Sequence, residues 1–389
     1  MLSDAQVSAV RARFPIFRQS VYLNSCSQGA LSDAVEGSMR ALMDSWDRLG
    51  SPWELWVEQY EEVRREFAAF IGADADEVAV VPSVSAGVSS LATALDFAER
   101  KTVVMGEFEF PTMGHVWMAQ ERRGAQVKFL RARDGRMHAD EYARAIDQDT
   151  AIVPVTGVCF MNGFRSPVRE IVAAARAQGA YVLLDDYQDC GTRPRNVREL
   201  DVDFYTAGAL KYLLGAAGIA FLYARKELIS RLQPTVSGWF GQENPFAFAT
   251  THFQPASNAR RFESGTPPIP SVYMALAGLR LLREVGMENV AEQVRRVARA
   301  FLDGAHELGI RSKTPAESVG PLVVLQAKDA AALVTQLAKE GIICSSRHDG
   351  LRIAFHVYNT MQDVDLVLRA LEKHRDLLVS GPQASHAAR

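Results

Sequence analysis

Two side chains in this sequence have the types and the setting for shared chemistry. Lys211 stands in the run Asp203-Phe-Tyr-Thr-Ala-Gly-Ala-Leu-Lys211-Tyr-Leu-Leu-Gly-Ala-Ala-Gly218, and Asp185 in Leu183-Leu-Asp185-Asp-Tyr-Gln188. Each follows or ends a short apolar run, Phe204-Tyr-Thr206 and Tyr181-Val-Leu-Leu184, of the kind that forms a buried parallel strand with ligands at its carboxyl end. An amine so placed can hold an aldehyde, and a shielded carboxylate can keep a ring nitrogen protonated. Those are the two needs of pyridoxal phosphate, whose ring then serves as an electron sink. Ala207, Gly208, Ala209, Gly215, Ala216, Ala217 and Gly218 surround the lysine, and small residues let a flat ring approach the backbone. Either residue alone would read as a turn lysine or a helix cap; the two together, each at a strand end, read as a site.

The elements that must position this pair alternate along the chain. Between Trp53 and Ile71, the side chains of Trp56, Tyr60, Val63, Phe67 and Phe70 share one helical face, and Gly72 closes the helix. Val78-Ala-Val-Val81, Thr102-Val-Val-Met105, Val127-Lys-Phe-Leu130 and Ala151-Ile-Val-Pro-Val155 are short apolar runs separated by helix-length segments, which predicts βα repetition and a mostly parallel sheet. After about residue 256 the pattern changes. One long helical periodicity covers Val272 to Leu308, followed by a strand from Leu322, a helix from Ala330, strands at Ile342 to Cys344 and Leu351 to Phe355, and a last helix from Thr360 to His374. The expected fold is α/β, with a large domain over 31–255 built on a mostly parallel central sheet with helices on both faces. A smaller C-terminal α+β domain is expected over 256–376, and residues 377–389, without periodicity, predict a disordered tail.

Composition narrows the function. With 48% hydrophobic residues and a formal net charge of −3, the 389-residue chain can bury a large core and has no basic excess for a nucleic-acid partner. Cys26, Cys159, Cys190 and Cys344 lack CxxC spacing, which argues against a zinc site or a disulfide framework and points to a reducing compartment. Neither the Met1 to Val10 segment nor any later run is long and apolar enough for a signal peptide or a membrane span, so a cytoplasmic protein with no membrane partner is expected.

Through these motifs the chain resembles the fold type I pyridoxal phosphate enzymes of the class V aminotransferase group, which includes cysteine desulfurases, selenocysteine lyases, isopenicillin N epimerases and kynureninases. The similarity runs from about Tyr22 to the last helix. It implies that Asp185 holds the pyridine nitrogen and Gln188 the 3-hydroxyl, in the family's Asp-x-x-Gln/His pattern, and that Lys211 carries the cofactor. Arg261-Phe-Glu-Ser-Gly-Thr266-Pro is similar to the family's Gly-Thr-Pro turn, whose threonine reaches a cofactor phosphate in the neighbouring subunit; a homodimer with shared sites is implied. Where many members have Ser-x-His-Lys, this chain has Gly208, Leu210 and Lys211. Two side-chain phosphate donors are missing, and Thr206, Thr266 and the loop after Val81 must compensate.

That loop, Val81-Pro-Ser-Val-Ser-Ala-Gly87, follows a strand and opens a helix, so free N–H groups and the positive end of the helix dipole would face an anion. A plain serine cap needs the same residues; the family position favours phosphate, with Val84 and Ser85 at the turn. Phe110 matches the residue that stacks on the cofactor ring, and Tyr187 stands where the family keeps a small residue on the opposite face. Arg352 resembles the arginine that grips the substrate α-carboxylate with two parallel hydrogen bonds. Asn24, Ser27 and Gln28, within residues 1–30, resemble the segment that closes over the substrate, with no choice among the three. The reaction expected first is a lyase cleaving a Cβ–heteroatom or Cβ–carbon bond of an amino acid. An aminotransferase or epimerase is the alternative, and a non-catalytic cofactor-binding dimer a further one. A desulfurase would need a mobile thiolate, for which the only candidate is Cys344 in the strand-like Gly341-Ile-Ile-Cys344, and the short link Ser345 to Gly350 resembles kynureninases and lyases more.

Overall fold

The structure, a computed structural model, describes residues 2–381. After an N-terminal helix (Asp4–Ala12) and a short strand β1 (Val21–Tyr22), the chain builds one seven-stranded sheet. Its strands are β2 (Val78–Val81), β3 (Thr102–Gly106), β4 (Gln126–Leu130), β5 (Thr150–Thr156), β6 (Tyr181–Asp185), β7 (Phe204–Gly208) and β8 (Ala220–Ala224). They lie in the order β2-β8-β7-β6-β5-β3-β4, with β8 antiparallel to both its neighbours and every other pair parallel. The runs are apolar almost without interruption because helices cover both faces. One face packs Val80, Tyr205 and Phe221 against Phe67 of the helix Trp53–Phe70, whose ring stacks on Phe221 at 3.9 Å. The other packs Val81, Phe204 and Leu222 against Val84, Val88 and Leu91 of the helix Val84–Ala94. The α/β architecture expected from the sequence is the one observed.

A second, antiparallel sheet joins β9 (Leu322–Gln326), β11 (Ser345–Arg347) and β12 (Gly350–Ala354), while β10 (Ile342–Ile343) leaves it to pair in parallel with β1. Leu23 buries itself among Phe301, Leu333 and Ile353, so the N-terminal segment is tied to the C-terminal unit.

Three expectations change. The link from Ser345 to Gly350 is a strand and a tight turn, with Ser345 opposite Arg352. The periodicity from Val272 to Leu308 belongs to two helices, Ile269–Val285 and Met287–Glu307, because Gly286 at φ +84° turns the chain out of helical geometry without a break in apolar spacing. The first packs on the helices Asp33–Leu49 and Trp53–Phe70 of the large unit, the second on Met361–Lys373 of the small one. The tail begins later than composition suggests: Leu378 is buried in the small core, Ser380 pairs with Ile310, and the N–H of Gly381 donates to the carbonyl of Gly309. Residues 382–389 lie outside the described residues. Among the described residues all four cysteines are free and buried, and no helix is long and apolar enough to cross a membrane.

Candidate active site

Sheet order sets the carboxyl ends of β5, β6 and β7 side by side: Thr156 is the register partner of Asp185, and Asp185 of Thr206. A cavity of about 300 Å³ opens there, lined by Asp185, Gln188, Lys211, Phe110, Tyr187 and the start of the helix Val84–Ala94. Asp185 is 4% exposed and accepts a hydrogen bond from the N–H of Tyr187 at 3.1 Å. Burial pushes its carboxyl up to about 6, against that bond and the charge of Lys211. Burial also pulls the Lys211 ammonium down to about 8, against the Cys26 thiol and the Asp185 carboxylate. A lysine near 8 has a usable fraction of free amine at working pH, which a nucleophile requires.

Lys211 Nζ lies 4.3 Å from the ring centroid of Tyr187 and 5.7 Å from that of Phe110, so the amine stands between two aromatic rings. Phe110 rests edge-on against Phe160, with centroids 5.1 Å apart. At the other end of the cavity, Ser83 caps the helix by accepting from the N–H of Ala86 at 3.1 Å, and the hydroxyls of Ser85 and Thr112 pair at 3.0 Å. The first-turn N–H groups of Val84 and Ser85 have no intrahelical acceptor, as at any helix start, and face this end.

The remaining candidates are placed less uniformly. Thr206 is fully buried and its hydroxyl donates to the carbonyl of Phe221 at 2.9 Å, so it serves the sheet and does not line the cavity. Thr266 is exposed on a turn outside the cavity of its own chain. Of Asn24, Ser27 and Gln28, only Ser27 lines the cavity, with its hydroxyl 3.4 Å from that of Ser345. The amide of Gln28 donates to the carbonyl of Gly215 at 3.2 Å, and Asn24 bridges the backbone of Ala354. Arg352, 2% exposed, donates from Nη2 to the carbonyl of Cys26 at 3.1 Å and leaves Nε without a partner among the described residues. Gln188 donates from Nε2 to the same carbonyl at 3.2 Å, its buried Oε1 likewise unpartnered.

Sequence reasoning missed four contributors. Phe160 lines the cavity from a turn with no periodicity to mark it. Asp186 and Asp189, both fully buried, hold Arg195 at 2.6 and 2.5 Å and so brace the turn that carries Asp185, Tyr187 and Gln188; the acidic and basic residues of Asp185 to Arg195 were the available signal. Glu109 is a buried carboxyl next to Asp185. Its Oε1 accepts from the N–H of Thr156 at 2.7 Å and its Oε2 has no partner among the described residues. Burial, then the Asp185 charge, raises it to about 8.

That shift has a testable sign. A carboxyl raised from 4.5 to about 8 by folding contributes stability that is fully present below pH 4.5 and is lost as pH rises toward 8. Glu109→Gln removes this dependence. In cofactor-free protein the stability of the variant relative to the native chain is expected to increase between pH 5 and pH 8 by a few kcal/mol at most, since one pKa unit is about 1.4 kcal/mol. Urea midpoints at the two pH values check it; an unchanged difference would contradict a neutral, buried Glu109.

A lysine amine between two rings, a shielded carboxylate at a neighbouring strand end, a helix start and an unsatisfied arginine Nε together fit pyridoxal phosphate and an amino acid, and define a fold type I pyridoxal phosphate enzyme. Residues 51–367 match the family model for aminotransferase class-V, and the chain belongs to that family, with pyridoxal phosphate as its cofactor. It is 36% identical over 358 residues to the uncharacterized aminotransferase YcbU of Bacillus subtilis, covering 91% of this chain and 94% of that protein. It is 28% identical over 380 residues to the kynureninase of Bacillus anthracis, covering 91% and 88%. The solved structure of the cystine C–S lyase C-DES in complex with cysteine persulfide superimposes with a TM-score of 0.86 at 21% identity, over 95% of this chain and 100% of that one, a likeness of fold.

Proposed function

We propose that this enzyme is a lyase that cleaves a bond at Cβ of an amino-acid substrate without a protein thiol in the reaction. The observation that carries the reading is the setting of Cys344. It is 7% exposed in the small-domain core, between β10 and β11, and burial pushes its thiol up to about 12. A persulfide step needs a mobile thiolate, which this placement opposes. The kinship to kynureninases supports the same reading.

When bound, pyridoxal phosphate supplies an electron sink for charge that develops at the substrate α-carbon. Arg352 binds the α-carboxylate through its unpartnered Nε and the Nη2 now on the Cys26 carbonyl, a bidentate pairing that fixes the substrate's orientation. Asp185 keeps the ring nitrogen protonated. Lys211 Nζ takes the α-proton as free amine and returns a proton to the departing β-group. Val158, Phe160 and Leu210 give the substrate side chain an apolar wall. The same reading has the enzyme as a cytoplasmic homodimer in which Thr266 reaches the neighbouring site. Support for the association is the exposed aromatic surface of Trp239, Phe246, Phe248 and Phe253, next to the Ser264 carbonyl that accepts from Phe240 N–H.

The test is product analysis with β-substituted amino acids. Release of the β-substituent with the cofactor still in its aldehyde form is expected, and Cys344→Ala should keep most activity. Pyridoxamine phosphate that a keto acid reverses would establish an aminotransferase instead, and a trapped persulfide on Cys344 a desulfurase.

A further inference from the structure

Tyr187 and Gly208 share one space. A Cβ added at Gly208 would overlap Cζ and Oη of Tyr187, so the phenol crosses the end of β7 only because residue 208 has no side chain. Strand register says where that crossing leads. Gly208 pairs with Ala220 on β8, and Ala220 with Val81 on β2, whose end passes through Ser83 into the helix Val84–Ala94. Tyr187 packs against the same apolar cluster as Val81, Val84 and Ala220. Its backbone N–H is anchored on Asp185, Lys211 Nζ lies over its ring, and the ring lines the same cavity as Ser83, Val84 and Ser85 at the helix start. Burial raises its hydroxyl above the usual phenol range, so the proton stays on, and Oη makes no hydrogen bond to another described residue.

A protonated donor without a protein partner, led to a helix N-terminus inside a cofactor cavity, has an anion as its natural acceptor. We propose that the Tyr187 hydroxyl is a phosphate donor of this site, hydrogen-bonding the cofactor phosphate across the space that Gly208 leaves open. The assignment holds whichever reaction the site catalyses. It also makes the two departures from the family pattern, tyrosine at 187 and glycine at 208, one exchange of a side chain for another.

Cofactor-free protein titrated separately with pyridoxal 5'-phosphate and with pyridoxal, which lacks the phosphate, isolates the contact. Tyr187→Phe keeps the ring and removes the hydroxyl. It is expected to weaken pyridoxal phosphate about 10–100-fold, the range for a hydrogen bond to a charged group, and to leave pyridoxal affinity unchanged. Equal loss for both ligands, or loss for neither, would overturn the proposal. As a second arm, Tyr187→Ala should lose the preference for the phosphorylated ligand, and Gly208→Ser added to it should restore much of that preference by supplying a hydroxyl from the other side. A double variant that discriminates no better than Tyr187→Ala alone would place the phosphate away from residue 208 and overturn it equally.

Discussion

Lys211→Ala is expected to abolish turnover while leaving some non-covalent cofactor binding, and borohydride reduction of the native enzyme is expected to fix the cofactor to the peptide that contains Lys211. In the proposed mechanism the amine is anchor and proton carrier at once, so the loss should exceed the roughly 10²–10⁴-fold that one acid–base group contributes. Its fitness for both roles is set by burial, which lowers the ammonium to about 8, and by its position between Tyr187 and Phe110. Mass spectrometry of the reduced protein decides the matter. A label on any other lysine sinks the assignment, and a Lys211→Ala enzyme that turns over sinks the mechanism.

Asp185→Ala should spare the covalent link and cost about 10²–10⁴-fold in rate, because the charge-assisted bond that keeps the ring nitrogen protonated is lost. Its carboxyl lies at about 6 in the cofactor-free chain, since burial outweighs the help of Tyr187 N–H and Lys211. A cationic ring nitrogen supplies the missing counter-charge, so cofactor uptake releases a proton from Asp185 when it starts below pH 6. Uptake by the native chain should therefore weaken as pH falls through 6, and by Asp185→Ala it should not show that dependence. Titrating cofactor binding from pH 5 to pH 8 in both proteins, alongside steady-state rates, checks both statements; unchanged turnover in the variant would remove Asp185 from the chemistry.

Much of this molecule was legible in the order of its residues. The alternation of apolar runs with helix-length segments is a local property, and six strands of the central sheet reproduce it within a residue or two, while β8, antiparallel between β2 and β7, was not read from it. Lys211 and Asp185 were recognisable because one follows and the other ends such a run, and strand ends are where parallel sheets present ligands. Local patterns failed where local reasons were too weak to decide. Gly286 breaks a helix that apolar spacing alone would continue, and Leu378 draws into the small core a segment whose composition reads as a tail.

The neighbours of the reactive pair belong to the tertiary structure. Thr206 stands two residues before Gly208 on the same strand and the same face, yet its hydroxyl serves the sheet, because its one donor is taken by the carbonyl of Phe221 on the neighbouring strand. Glu109 comes next to Asp185 only through the pairing of β5 with β6, and Arg352 and Gln188 meet over the Cys26 carbonyl from three distant stretches of chain. The exchange between Tyr187 and Gly208 is of the same kind: the sequence names both residues, but only the register of β6 against β7 puts the phenol where a side chain at 208 would stand. Residue order alone was enough to single out the pair on which the proposed chemistry rests and the sheet that presents it. Which groups surround that pair, and how they titrate, came from packing, because contact and desolvation are set by neighbours across strands rather than by neighbours along them.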